Sequence, residues 1–139
     1  LIALVDDEVI RANDRIRFIS MEIVCGSRGP QRADLELEVD GVPKHTEANG
    51  DGPVDAAFNA IKALFPHEAK LQLYQVHAVT EGTDAQAGVS VRLEENGRSV
   101  NGQGADTDTL VASTRAYINA LNKLLVKRKK AAPEALQAV

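Results

Sequence analysis

Chemistry in this 139-residue chain would have to come from a few residue types: three histidines, one cysteine, and carboxylates near its start and around two glycine-rich turns. His45, His67 and His77 fall on separate predicted elements, and no two have the close helical spacing of a zinc-binding pair, so they read as ordinary surface or hairpin histidines. Cys25 is the single cysteine, which excludes an internal disulfide and any multi-cysteine metal site; it reads as a half-buried strand residue. Asp6, Asp7 and Glu8 form a solvated acidic run in a loop-like segment. Asp51, Asp106 and Asp108 stand near helix starts, where a carboxylate caps backbone N–H groups, a better use than acid–base catalysis. No serine, cysteine or lysine sits in a nucleophile motif. There remain the turns Gly50-Asp51-Gly52 and Gly102-Gln103-Gly104, each read as a strand-to-helix junction. Exposed N–H groups at such a junction attract an anion, and glycine lets a ligand approach the backbone. The competing reading is that both only make tight turns. Neither continues as a phosphate-binding loop, and no dinucleotide fingerprint is present. What they suit is a small carboxylate, with Val54, Leu73, Ala78, Ala85 and Ala87 as an apolar wall.

The elements that position these turns follow from periodicity. Strand-formers fill residues 16 to 25, and the cluster from Gly26 to Pro30 turns the chain. Ala33, Leu35, Leu37 and Val39 then alternate with Asp34, Glu36, Glu38 and Asp40, the mark of a strand with one wet face. Asp40-Gly41 predicts a tight hairpin into a third strand over Val42 to Ala48. Pro53 suits a first helical position, and Val54, Ala57, Phe58, Ile61, Leu64 and Phe65 follow at helical spacing. After Pro66 the order recurs: a strand over Leu71 to Thr80, a Glu81-Gly82-Thr83 turn, a strand on Ala85, Ala87, Val89, Val91 and Leu93, and an Asn96-Gly97 hairpin. A short strand to Gly104 and a helix capped by Asp106 or Thr107, with Leu110, Thr114, Tyr117, Ile118, Leu121 and Leu125 on one stripe, close the pattern.

The fold class is therefore α+β: two tandem βββα units related by a pseudo-twofold axis, with two-layer sheet and helix packing. The units span residues 15–66 and 67–127 of one domain over residues 1–130, behind a linker of about residues 1–14. Lys127 to Lys130 read as a solvated helix end, where cations complement the dipole, and residues 131–139 as a flexible tail. A ligand would lie where the units meet.

Composition narrows the partners. With 16 basic and 20 acidic residues, the net charge is −4, and no broad basic surface for nucleic acid can form. No apolar run approaches the roughly 20 residues of a membrane span, and no signal peptide is legible, so a cytoplasmic location is expected. The chain starts at Leu1, which reads as a cut inside a longer protein.

Three ordered stretches carry a resemblance: Gly50-Asp51-Gly52-Pro53-Val54-Asp55-Ala56, then Gly82-Thr83-Asp84-Ala85-Gln86-Ala87, then Gly104 through Ser113. Together with the helix ending Tyr117-Ile118-Asn119-Ala120-Leu121-Asn122-Lys123, they resemble the C-terminal regulatory domain of 2-isopropylmalate synthases over about residues 1 to 128. The resemblance implies two βββα units that homodimerise, bind leucine between them, and impose feedback inhibition on the condensation of acetyl-CoA with 2-oxoisovalerate. That reaction belongs to a metal-dependent barrel in a missing N-terminal part, so this fragment has no catalytic activity and no cofactor of its own. Matching positions place leucine at Gly50, Asp51, Gly52, Pro53, Val54, Tyr74, Ala78, Ala85, Ala87 and Ala105. At Gly52, valine is expected to crowd both the turn and the ligand's carboxylate. Two other assignments stay open: an isoleucine-sensing domain of a citramalate synthase, since moving one methyl changes apolar discrimination by only ~1–3 kcal/mol, or a dimerisation module without a ligand.

Overall fold

The computed structural model describes residues 14–78 and 86–137, with the backbone alone from 128 onward. Strands β1 (Ile16–Val24), β2 (Gln31–Val39) and β3 (Val42–Gly50) lead into helix α1 (Pro53–Leu64); β4 (Lys70–Ala78), β5 (Ala87–Glu95) and β6 (Arg98–Asp106) lead into α2 (Thr109–Gln137). Each trio forms its own antiparallel sheet, ordered β1-β2-β3 and β4-β5-β6. The expected α+β fold of two βββα units is the observed one.

The repeat extends to detail. Both hairpins place their turn pair at positive φ, 52° and 83° at Asp40-Gly41 and 53° and 79° at Asn96-Gly97, which suits the two-residue connections. Both edge strands carry an irregularity at equivalent places, after Phe18 opposite Leu37 and after Leu71 opposite Leu93. Alternation then decides the faces. Leu35 and Leu37 on β2, and Val89, Val91 and Leu93 on β5, are fully buried beneath the helices, each removing about 2 kcal/mol worth of apolar surface from water.

Helix α2 lies close against β6 because the facing side chains are small. A Cβ at Gly102 would fall 2.2 Å from the Ala116 carbonyl oxygen, and one at Gly104 would fall 2.5 Å from that of Ala112. Gly102-Gln103-Gly104 is therefore strand interior facing Ala112, Ala116 and Ala120, not a junction, because the strand continues to Asp106. The same helix reaches into the first unit. The Asn122 carboxamide is buried and accepts the N–H groups of Arg15 (3.2 Å) and Ile16 (3.1 Å), while its own N–H donates to the Ile16 carbonyl (2.8 Å). Farther along β1, Arg115 stacks over the Phe18 ring at 4.8 Å, and the Thr114 hydroxyl meets the Met21 sulfur at 3.3 Å. β1 thus runs antiparallel to α2, toward its start.

Other expectations need correction. α2 continues to Gln137, so Lys127 is not at its end; its ammonium bonds the Ser99 carbonyl at 3.0 Å. Cys25 lies beyond β1 and is exposed rather than half-buried. His67 is buried rather than on the surface, with Nδ1 accepting the Ala69 N–H and Nε2 against the Tyr117 hydroxyl. His45 is a surface residue paired with Asp34 across the strands. The acidic run at residues 6–8 and the turn at residues 81–83 lie outside the described residues.

Two substitutions test this packing. Asn122→Ala strands the buried Ile16 peptide groups and should cost about 3 kcal/mol in urea unfolding. Gly102→Ala drives a methyl into the α2 backbone and should cost at least about 2 kcal/mol, while Gly52→Ala, which meets no atom, should be near neutral in the same assay.

Candidate functional site

The two helices differ at their starts, and that difference defines the site. α2 carries its own carboxylate cap: Asp108 accepts the Leu110 N–H at 2.8 Å, and Asp106 accepts the Asp108 N–H at 2.9 Å. The cap is therefore Asp108, not Asp106 or Thr107, because the strand holds Asp106 and the helix begins at Thr109. α1 is open. Its cap residue, Gly52, has no side chain to offer, and Pro53 has no N–H. The first helical bond runs from the Ala56 N–H to the Gly52 carbonyl at 2.9 Å, leaving the Val54 and Asp55 N–H groups without an acceptor among the described residues. Asp51 does not cap. Its own N–H donates to the Asp55 carboxylate at 2.9 Å, and its carboxylate makes no bond among the described residues.

The glycines flanking Asp51 have different tasks. A Cβ at Gly50 would fall 2.4 Å from the Ala56 nitrogen, so glycine there lets β3 run directly under the first turn of α1. Gly52 has extended φ and ψ (−153°, 172°) and open space where its Cβ would be. The turn itself tolerates a side chain at Gly52, contrary to the sequence expectation; what such a side chain would occupy is the space in front of the helix.

Beside this opening, the inner face of β4 is left partly bare. Tyr74, Val76 and Ala78 pair with Val91, Val89 and Ala87 and so share the face that the helices cover elsewhere. Yet Val76 is 49% exposed and Leu71 44%, whereas their counterparts on β1, Ile23 and Phe18, are packed against the core. On β1 that face is met by Thr114 and Arg115 from the first two turns of α2. Phe58 meets the Tyr74 ring edge-on at 6.1 Å. Val76 and Ala78 follow Tyr74 on the same face of β4.

Tyr74 is also held from the second unit. The Ser113 hydroxyl donates to the Thr109 carbonyl at 2.8 Å, so the Tyr74 hydroxyl donates to Ser113 Oγ at 2.6 Å. Behind it, Phe58 stacks on Tyr117 at 4.4 Å, and burial pushes the Tyr117 phenol up to about 12. The opening between α1 and β4 thus rests on an ordered aromatic floor.

Of the residues expected at the ligand, the structure gathers Gly52, Pro53 and Val54 at the helix start, with Gly50 beneath and Asp51 beside them, and Tyr74, Ala78 and Ala87 on one face of the second sheet. Ala105 pairs with Gly88 on the opposite face, and Leu73 pairs with Arg92 there too. Ala85 lies outside the described residues. Sequence reasoning missed Val76, although its place between Tyr74 and Ala78 in a period-two strand puts it on their face. Among the described residues, no group of three His, Cys, Asp or Glu could hold a metal ion, and no helix is long and apolar enough to cross a membrane.

An open helix start thus lies near a partly bare strand where the duplicated units meet. The chain belongs to the LeuA allosteric (dimerisation) domain family, whose model matches residues 1–125. It is 62% identical over 128 residues to the 2-isopropylmalate synthase of Bradyrhizobium sp. BTAi1, covering 92% of this chain and 24% of that protein. Against the 2-isopropylmalate synthase of Caulobacter sp. K31 it is 62% identical over 135 residues, 97% of this chain and 26% of that protein. The chain thus spans about a quarter of the length of the curated relatives it matches.

Tyr117 offers a pH test. Its phenol ionises near pH 10.0 in the unfolded chain and about 12 in the folded one, so its contribution is fully present below pH 10 and is lost as pH rises toward 12. Unfolding followed from pH 9 to pH 12 should show stability falling over this window, and Tyr117→Phe should flatten the fall.

Proposed function

We propose that this chain is the regulatory part of a 2-isopropylmalate synthase and that it binds leucine for feedback inhibition, as a homodimer joined to a catalytic barrel. The barrel, with its divalent metal, condenses acetyl-CoA with 2-oxoisovalerate; this domain reports the end product to it. The observation that carries the reading is the open start of α1 beside the bare inner face of β4. Gly52, Val54 and Asp55 turn N–H groups toward the leucine carboxylate, and the helix dipole favours that charge. Asp51, whose carboxylate is otherwise unbonded among the described residues, takes the ammonium. Val54, Tyr74, Val76, Ala78 and Ala87 surround the isobutyl group, with Ala85 a further contact that family resemblance suggests, while Ala105, which the resemblance also suggests, stands on the other face of that sheet.

A ligand in this opening touches α1 and β4, elements of different units. Inhibition requires that leucine favour one relative placement of the units over another, since a ligand bound equally by both shifts nothing. Tyr74 supplies the link, because its ring meets Phe58 of the first unit while its hydroxyl is tied within the second to α2 through Ser113.

Calorimetric titration of the chain with leucine, isoleucine and valine tests the assignment. Leucine should bind preferentially, and Gly52→Val should weaken it at least about a hundredfold while leaving the unfolding midpoint within about 0.5 kcal/mol of wild type. Preference for isoleucine would move the chain to the citramalate branch; no binding to any of the three would leave a dimerisation module. Leucine inhibition of the whole synthase should disappear when this domain is deleted.

A further inference from the structure

Independently of that reading, a second cleft lies between the units, on the side where β1 meets α2. Its volume is about 360 Å³, and both units wall it: Ile16 and Phe18 from β1, with Arg115, Ile118 and Asn119 from α2. Ile16, Phe18 and Ile118 make an apolar floor. Arg17 is paired opposite Glu38 on the outer face of the first sheet, so Arg115 is the one guanidinium over that floor. It lies over the Phe18 ring at 4.8 Å and makes no ion pair or hydrogen bond among the described residues. Its neighbours differ. Arg92, Arg98, Lys123 and Lys127, along the same hairpin and helix, each donate to a carbonyl or carboxamide oxygen. Asn119 spends its carbonyl oxygen on the Gln103 N–H at 3.0 Å, which leaves its NH₂ group to donate elsewhere. The cleft suits a carboxylate with apolar side chains beside it.

The chain carries that combination immediately before the cleft. Asp14, the first of the described residues, lines the rim. Upstream of it, Asp6-Asp7-Glu8 is followed directly by Val9-Ile10, and Arg11 is the one cation to offset three carboxylates. Glu8 lies six residues before Asp14, a reach of up to about 20 Å in extended chain, enough to take its carboxylate from the rim to Arg115. Tethering holds such a segment at an effective concentration in the millimolar range, so it outcompetes weak free anions for the same guanidinium.

We infer that residues 6–10 seat in this cleft, with a carboxylate of the Asp6-Asp7-Glu8 run on the Arg115 guanidinium and Val9 and Ile10 over Phe18 and Ile118. Because β1 and α2 belong to different units, the seat changes shape with their relative placement, and the segment leading into the domain responds to it. A nitroxide at Ala3→Cys reads the docking within the chain, in a Cys25→Ser background that removes the single, exposed native thiol. Amide signals of Ile118 and Asn119, more than a hundred residues later, should broaden. Arg115→Gln should reduce this broadening about threefold, the effect of one partly exposed ion pair. Neutralising the run by Asp6→Asn, Asp7→Asn and Glu8→Gln together should do the same, and combining it with Arg115→Gln should reduce the broadening no further. Arg32→Gln, on the outer face of the first sheet, should leave it unchanged. Unbroadened signals at Ile118 and Asn119 would overturn the proposal, as would additive losses in the combined variant. So would broadening that passes between chains when a spin-labelled copy is mixed with an isotope-labelled one, which would assign the cleft to a second copy.

Discussion

The architecture depends on one buried carboxamide. Separate sheets have no shared ladder to align them, and apolar contact between units is tolerant of sliding. Asn122 removes that tolerance. It takes the N–H and carbonyl of Ile16 at once, as a neighbouring strand would, and so fixes the register of β1 against a helix more than a hundred residues later. A slip in either direction would bury unpaired polar groups, which cost far more than the bonds contribute. The stacking of Arg115 on Phe18 and the contact of Thr114 with Met21 then follow along the same line.

Small residues set the second constraint. Gly102 and Gly104 admit the backbone of α2 to β6, with Ala112, Ala116 and Ala120 facing them. This close seat lets one long helix serve two sheets. α1 serves chiefly its own, and β4 keeps a strip that is bare at Leu71 and Val76. The candidate site is thus a place where the packing of a duplicated fold is incomplete on one side.

Much of the fold was legible because the signals were local. Alternation on β2 and β5, two hairpin dipeptides at positive φ, and Pro53 at a helix start each have a short-range physical cause. The errors share a different origin. Gly102 and Gly104 look like turn residues until the helix that approaches them is known, and His67 looks solvent-exposed until Tyr117 is folded over it. The helix start at Pro53 was legible, but the contrast with the self-capped α2 was not, since it turns on which of Asp106 and Asp108 reaches a backbone N–H. Which face of the sheet Ala105 takes, opposite to that of Ala87, follows from the pairing with Gly88 and could be read only once the strand register was known.

The unequal helix starts have a consequence for counting. A fold built twice from one plan would ordinarily offer two equivalent receptors, and a single chain could then show cooperative uptake within itself. Here one half sets its own aspartate before its helix start, and the other leaves its donors without a facing carboxylate. Any guest drawn by those donors is accepted once per chain, so saturation of a lone chain is hyperbolic. A sigmoid response, where it occurs, has to come from communication between separate copies, which makes association of the chains the source of steepness rather than an accessory to it.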